Sequence, residues 1–150
     1  MYLTTAPGMQ SEIFAPTTPP PVWTPVTKPL KESMVAFATA GGIHLKAQTP
    51  FNAAGDFSIR EIPSGTATKD MMVTHGGYDN SDVNKDINAM LPIDRLNELA
   101  KEGFIGKVAP TLVGFLGGGG NVEKFRNETA PAIAQILKDA GADRCLLTAG

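Results

Sequence analysis

An uninterrupted apolar run at residues 33–40 constrains the fold more than any other feature of this sequence. The run does not alternate between apolar and polar residues, and it lies between Lys31-Glu32 and Gly41-Gly42. A strand that is buried on both faces has this pattern, and such strands lie at the centre of parallel sheets. Residues 33–40 are therefore predicted to form a central strand, with residues 41–44 as the loop at its carboxyl end.

Further strand and helix patterns follow along the chain, and their order predicts the fold class. Apolar periodicity, turn residues and capping residues place strands at residues 57–62, 71–74, 107–115 and 143–150, and helices at residues 92–101 and from Val122, restarting near Pro131. We expect an α/β fold, with a parallel Rossmann-like or flavodoxin-like sheet flanked by helices. The segment 143–150 is expected to be buried, with Cys145 as an inert buried thiol.

The first 30 residues differ from the rest, because prolines at positions 16, 19, 20, 21 and 25 oppose a helix. They are predicted to form an extended arm. Phe14 and Trp23 favour an arm laid over a neighbouring subunit, although a disordered tail is the alternative. Residues 31–150 are then the α/β domain.

Composition excludes several classes of function. A formal net charge of −2 offers no basic face for nucleic acid. No apolar run approaches the roughly 20 residues that span a bilayer, and the N-terminus lacks a secretory pattern. The one cysteine is typical of a protein in a reducing cytoplasm, where we expect this chain to reside.

The polar cluster at residues 75–88 is the first candidate site. It follows a predicted strand, and His75 stands beside two glycines that would let a ligand approach the backbone. A solvated loop is the alternative, since Asn and Asp also serve turns. The spacing of Asp79, Ser81 and Asn84 lacks the glycine and terminal glutamate of a calcium loop.

Two further features follow predicted strands. His44 has the ordinary interpretation of a structural histidine, but with His75 it predicts a shared pocket for proton transfer or carboxylate binding. Two histidines without a third ligand give no metal site. The glycine-rich turn at residues 114–121 lacks a Walker lysine, so it predicts either backbone binding of an anion or tight packing.

Several segments together resemble the glycine/sarcosine/betaine/D-proline reductase selenoprotein family. They are His75-Gly-Gly-Tyr-Asp-Asn, residues 82–88, Pro92-Ile-Asp-Arg, the turn at 114–121, the closing Leu-Leu-Thr-Ala-Gly, and residues 10–14 and 22–27. The likeness is to the D-proline-cleaving branch. In this family selenocysteine and Gly-Thr-Cys follow Thr-Ala-Gly, so the nucleophile is expected just after Gly150 and the domain is expected to continue past it.

The resemblance implies an oxidoreductase subunit that cleaves the ring of D-proline to 5-aminopentanoate. It implies a partner subunit with a pyruvoyl group, further copies of this chain, a thiol or dithiol electron donor and no cofactor bound by this chain. Candidate catalytic residues are His44, His75, Asp79 and Asp82. Candidate substrate-binding residues are Gly76, Gly77, Tyr78, Asn84, Gly118 and Gly119. The alternatives are a glycine, sarcosine or betaine reductase selenoprotein, or a non-catalytic docking piece of the complex.

Overall fold

The centre of the main sheet in this computed structural model, which describes residues 24–117 and 120–149, is strand β1, Met34–Thr39. The other strands are β2 Ile43–Leu45, β3 Arg60–Pro63, β4 Met71–Val73, β5 Lys107–Val108, β6 Thr111–Gly114 and β7 Arg144–Thr148. The helices are α1 Ser81–Lys85, α2 Ile93–Lys101, α3 Val122–Lys124 and α4 Ala130–Asp139, with a π-helical turn at Phe125–Thr129 between α3 and α4. Short 3-10 turns lie at Leu30–Glu32, Thr68–Asp70 and Ile87–Ala89.

Strand β1 has parallel partners on both sides, as the continuous apolar run predicts. Strand β7 pairs along its length, with Thr39 opposite Thr148. On the other side, β5 pairs with the start of β1 and β6 with its end. Pro110 lies between β5 and β6, so the strand region predicted at residues 107–115 is divided there.

The sheet is mixed rather than wholly parallel, because β3 runs antiparallel to β6. Only Ile62 of β3 is buried, so the alternating sequence at residues 57–62 was itself typical of a half-wet antiparallel edge strand. Strands β2 and β4 form a separate antiparallel pair. The α/β class is confirmed, whereas a Rossmann-like or flavodoxin-like parallel sheet is not. Most of the predicted arm lies outside the described residues.

Helices cover both faces of β1 and hold the core together. On one face Val35 and Phe37 pack in the same cluster as Ile93 and Leu96 of α2. On the other face Ala36 and Ala38 lie with residues of α4, namely Ile133 and Leu137. Each helix ends where a glycine takes a positive φ, at Gly103 and Gly141. Each face is therefore matched to one amphipathic helix.

Strand β7 is a strand, as predicted, but it is not buried. Leu146 is 50% exposed and Leu147 is 72% exposed, and Cys145 also lies at the surface. The physical reason is that β7 pairs with β1 alone among the described strands, so its other edge is open. The expectation of a buried terminal strand with a buried thiol was therefore wrong for this part of the chain.

Candidate functional site at the carboxyl edge of the sheet

The loop after β1 joins the ends of three other strands. The backbone N–H of Gly42 donates to Phe115 after β6 at 3.2 Å, and its carbonyl accepts from Thr74 after β4 at 2.9 Å. The N–H of Ala40 donates to the carbonyl of Thr148 in β7 at 3.0 Å. A side chain at Gly42 would overlap the Thr74 carbonyl, and φ there is +72°. Glycine is required here because the segments approach so closely.

A pair of threonines fixes the end of β7 against β1. Thr39 is fully buried, and its hydroxyl oxygen accepts from the N–H of Gly41 at 3.0 Å. The Thr148 hydroxyl lies 2.9 Å from that of Thr39 and 3.4 Å from the carbonyl oxygen of Met90. The residues that follow Thr148 therefore leave the sheet at the same edge as the loop after β1.

His75 lies in the loop after β4 and is held in one neutral form. Its Nδ1 accepts a hydrogen bond from the N–H of Gly77 at 2.8 Å, so the proton of the neutral ring is on Nε2. Burial lowers the pKa of His75 below its ordinary value. The neutral ring is thus a hydrogen-bond donor through Nε2, suited to binding a carboxylate.

Tyr78 connects the His75 loop to the loop after β1. Its hydroxyl donates to the Gly41 carbonyl oxygen at 2.8 Å, and its ring centre lies 4.7 Å from that of His75. Burial raises the pKa of Tyr78, so the phenol keeps its proton. The hydroxyl of Tyr78 therefore already has a protein partner, while its ring packs against His75.

One cavity of about 300 Å³ brings together two features that the sequence presented separately. His75, Gly76 and Gly77 lie on one side, and Leu116 and Gly117 of the glycine-rich turn lie on another. The segment 53–55 completes the lining. The cavity therefore combines the histidine donor with backbone from a glycine-rich turn, an arrangement that suits a small anionic or zwitterionic ligand.

His44 lies inside strand β2 rather than in a loop, and it is fully buried. Its Nδ1 lies 2.8 Å from the Leu45 carbonyl, and its Nε2 lies 2.9 Å from the Thr74 hydroxyl. Phe51 packs edge-on against the ring. Both nitrogens are therefore occupied, and His44 is not part of the lining of the His75 cavity.

The other candidates of the polar cluster are dispersed. Asp79 accepts from the N–H of Ser81 at 2.9 Å, and exposed Asp82 pairs with Lys85 at 2.9 Å. Asn84 lines a different cavity of about 430 Å³, beside β4 and α1. Gly118 and Gly119 lie outside the described residues.

Asn80 is the residue of this loop that the sequence reasoning did not single out. Its side-chain N–H donates to the His75 carbonyl oxygen at 2.9 Å. Its Oδ1 is buried without a partner, so the loop retains an unused acceptor. The only available signal was the presence of Asn80 within the cluster that begins at His75.

The described residues contain neither a cluster of metal ligands nor a membrane-spanning helix. Among residues 24–117 and 120–149, no three side chains of His, Cys, Asp or Glu come close enough to hold a metal ion. Within those same ranges, no helix has the length and apolarity to span a bilayer.

The geometry defines a mixed α/β protein that gathers a histidine-lined cavity and the end of β7 at one edge of its sheet. Residues 10–150 match the family described as glycine/sarcosine/betaine reductase selenoprotein B, and the chain belongs to that family. It is 62% identical over 148 residues to the D-proline reductase subunit gamma of Acetoanaerobium sticklandii. That alignment covers 99% of this chain and 61% of the relative.

Relatives with other substrates in their names are more distant. The chain is 34% identical over 134 residues to the glycine reductase complex component B subunit gamma of Carboxydothermus hydrogenoformans. It is 29% identical over 130 residues to the sarcosine reductase complex component B subunit beta of Peptoclostridium acidaminophilum. Both alignments cover 83% of this chain and 29% of the relative. No solved structure matches the chain.

Proposed function

We propose that this chain is part of the selenocysteine-bearing subunit of a D-proline reductase, which opens the ring of D-proline to 5-aminopentanoate. The single observation that carries this proposal is 62% identity over 99% of the chain to a D-proline reductase subunit gamma. Because the chain spans 61% of that relative, the activity belongs to a longer polypeptide and its complex. A cytoplasmic location stays a prediction.

The reaction needs groups beyond the described residues, and the carboxyl edge of the sheet suits them. A selenocysteine after Gly150 would supply a selenolate nucleophile, and a pyruvoyl group on a partner subunit would withdraw electrons from the ring nitrogen. The end of β7 fits such a nucleophile, because Thr148 is held beside the loop after β1. Tyr78 links that same loop to the His75 cavity.

Within this chain, His75 is the residue to which we assign a direct role. Its neutral Nε2–H would donate to the carboxylate of D-proline, whereas delivery of the proton that Cα gains when the Cα–N bond is reduced would require the ring to be protonated first. The overall reaction consumes two electrons and two protons, which a thiol or dithiol donor supplies. His44 is buried with both nitrogens engaged, which favours a supporting role through Thr74.

The remaining candidate residues stay predictions, and we assign none of them a direct step in the reaction. Asp79 and Asp82 already accept from Ser81 and Lys85, so a role toward the amine of the substrate would require them to exchange partners. Gly76, Gly77 and the glycine-rich turn would contribute backbone contacts to the substrate. Further copies of this chain are expected in the complex.

The test is turnover by a reconstituted, selenium-containing complex given D-proline, glycine, sarcosine or betaine. We expect activity with D-proline alone, and His75→Ala should lower kcat/KM by about 100-fold or more. A rise in KM alone would assign His75 to carboxylate binding, whereas a fall in kcat would assign it to proton delivery. Lys101→Ala at the exposed end of α2 is the matched control and should have no effect.

Two competing functions predict other outcomes. A glycine or sarcosine reductase component, favoured by the 34% and 29% identical relatives, would show turnover with those amino acids instead. A non-catalytic docking piece would bind its partner without any selenium in the complex. Near-normal values of both kcat and KM for D-proline in His75→Ala would remove His75 from the mechanism.

A further inference from the structure

The open edge of β7 carries apolar side chains on both faces of the sheet. Cys145 and Leu147 lie opposite Ala36 and Ala38 of β1, so they share the face that α4 covers. Leu146 lies opposite Phe37, on the face covered by α2. An edge strand that faces solvent has charged or polar residues and is short. Strand β7 instead has the composition of a strand with a neighbour.

Only alternate residues of β7 have backbone hydrogen bonds to β1. The Thr148 carbonyl accepts from the N–H of Ala40, directly after β1, so the backbone groups of Thr148 and Leu146 face β1. Successive residues of a strand present their backbone groups to opposite sides, and Cys145 and Leu147 therefore direct theirs to the open edge. Among residues 24–117 and 120–149 these N–H and C=O groups have no strand partner, so they offer a template for one more strand.

The direction of the existing connections indicates where that strand and its helix would lie. The connection from β1 to β6 moves to one side and includes α2 on one face. The connection from β6 to β7 moves to the other side and includes α4 on the opposite face. Crossover connections between parallel strands of one sheet are almost always right-handed. A connection from β7 outward continues the second direction, so its helix packs on the α4 face.

The α4 face has room for such a helix. A groove of about 240 Å³ lies between α4 and β7 and is lined by Leu137, Ala142 and Cys145 among others. Leu147, the most exposed of the large apolar side chains on β7, projects from the same face. A helix in this position would cover the groove and Leu147 together.

We infer that β7 is an internal strand of the complete subunit. The segment that follows Gly150 adds a parallel strand to its open edge and a helix beside α4 over Cys145 and Leu147. The D-proline reductase relative is longer than this chain, which spans 61% of it, so it contains polypeptide for both elements. The inference depends on the proposed function only for the existence of that longer polypeptide, and its readouts require no turnover.

The test compares the 150-residue chain with the longer polypeptide read through with serine at the selenocysteine position. Iodoacetamide should label Cys145 about tenfold or more slowly in the longer, monomeric polypeptide, as measured by peptide mass mapping. Amide exchange should slow at Cys145 and Leu147, whereas Leu146 and Thr148 should be protected in both. Leu147→Lys should lower the unfolding midpoint of the longer polypeptide only, and Phe104→Lys, at a residue 63% exposed elsewhere, should leave it unchanged.

Three outcomes would overturn the inference. The first is equal labelling of Cys145 in both polypeptides. The second is a dimer of either polypeptide in which β7 becomes protected only on self-association, because a second copy would then cover the edge. The third is a gene with an ordinary stop after Gly150 and no continuing frame. Full protection of Cys145 together with no D-proline turnover by the selenium-containing complex would refute only the proposed function.

Discussion

The hydroxyl groups of Thr39 and Thr148 lie 2.9 Å apart, at the carboxyl ends of two neighbouring parallel strands. Thr39 is buried and also accepts from the N–H of Gly41, so this pair fixes the loop after β1 and the end of β7 at once. The chain that follows Thr148 is therefore positioned by a polar contact inside an otherwise apolar core.

Removal of the Thr39 hydroxyl should destabilise the protein more than the loss of one average hydrogen bond. Thr39→Ala leaves the Gly41 N–H without its acceptor, and a buried unsatisfied donor costs about 1–3 kcal/mol. Thr111→Ala in β6 is the matched control, because Thr111 is half-buried and its hydroxyl makes no hydrogen bond among the described residues. Urea unfolding of the two variants measures the difference. Equal decreases in the free energy of unfolding would show that the Thr39–Gly41 hydrogen bond makes no specific contribution to stability.

Gly114 at the end of β6 should tolerate no side chain. An added methyl group would overlap the Ile43 carbonyl oxygen, so Gly114→Ala must push β2 away from β6. Overpacking of this kind costs about 1–3 kcal/mol or more. Gly65→Ala is the control, because no atom lies within 4 Å of the added methyl group. Its unfolding midpoint should stay equal or rise slightly, since alanine restricts the unfolded chain.

The sequence predicted the parts of the fold that depend on local pattern. The run at residues 33–40 identified β1, and apolar spacing identified α2 and the helix that restarts near Pro131. Burial of β7 was mispredicted because its apolar residues indicate a buried strand, whereas actual burial also requires a second neighbouring strand, which the described residues do not supply. The antiparallel direction of β3 was also missed, although its alternation indicated a wetter edge.

The candidate site was predictable only in part. His75 and the glycine-rich turn were both found, but their meeting in one cavity depends on the register between β1 and its neighbours. No sequence pattern distinguishes the buried ring of His44 from a reactive histidine. Asn80 and the Thr39–Thr148 contact escaped notice for the same reason, since each links residues through tertiary structure.

Stability should depend on pH through His75. The folded pKa of His75 lies below its unfolded value of 6.5, because burial disfavours the charged ring. The unfolded chain therefore binds more protons than the folded chain in the interval between the two pKa values. The stability that the neutral ring contributes is complete above the unfolded value and is lost as the pH falls through the folded value.

Denaturant midpoints measured from about pH 7.5 to about pH 5 test this expectation. They should fall with pH for the parent chain and stay flatter for His75→Gln, which has no titrating ring. A proton resonance of the His75 ring, followed by NMR over the same range, should give a midpoint below the ordinary value. A midpoint above 6.5 would contradict a neutral ring that accepts from Gly77.

Tyr78 makes two contacts that should affect the His75 loop: its hydroxyl bonds to the loop after β1, and its ring packs against His75. Tyr78→Phe keeps the ring that packs against His75 but leaves the carbonyl of buried Gly41 without its donor. The free energy of unfolding should therefore fall by about 0.5–1.5 kcal/mol. Tyr78→Leu also removes the aromatic contact and should raise the NMR-detected pKa of His75 toward its ordinary value, because the ring becomes more hydrated. Unfolding by urea and titration of His75 separate the two effects. A Tyr78→Phe variant with unchanged stability would show that the hydroxyl does not connect the His75 loop to β1.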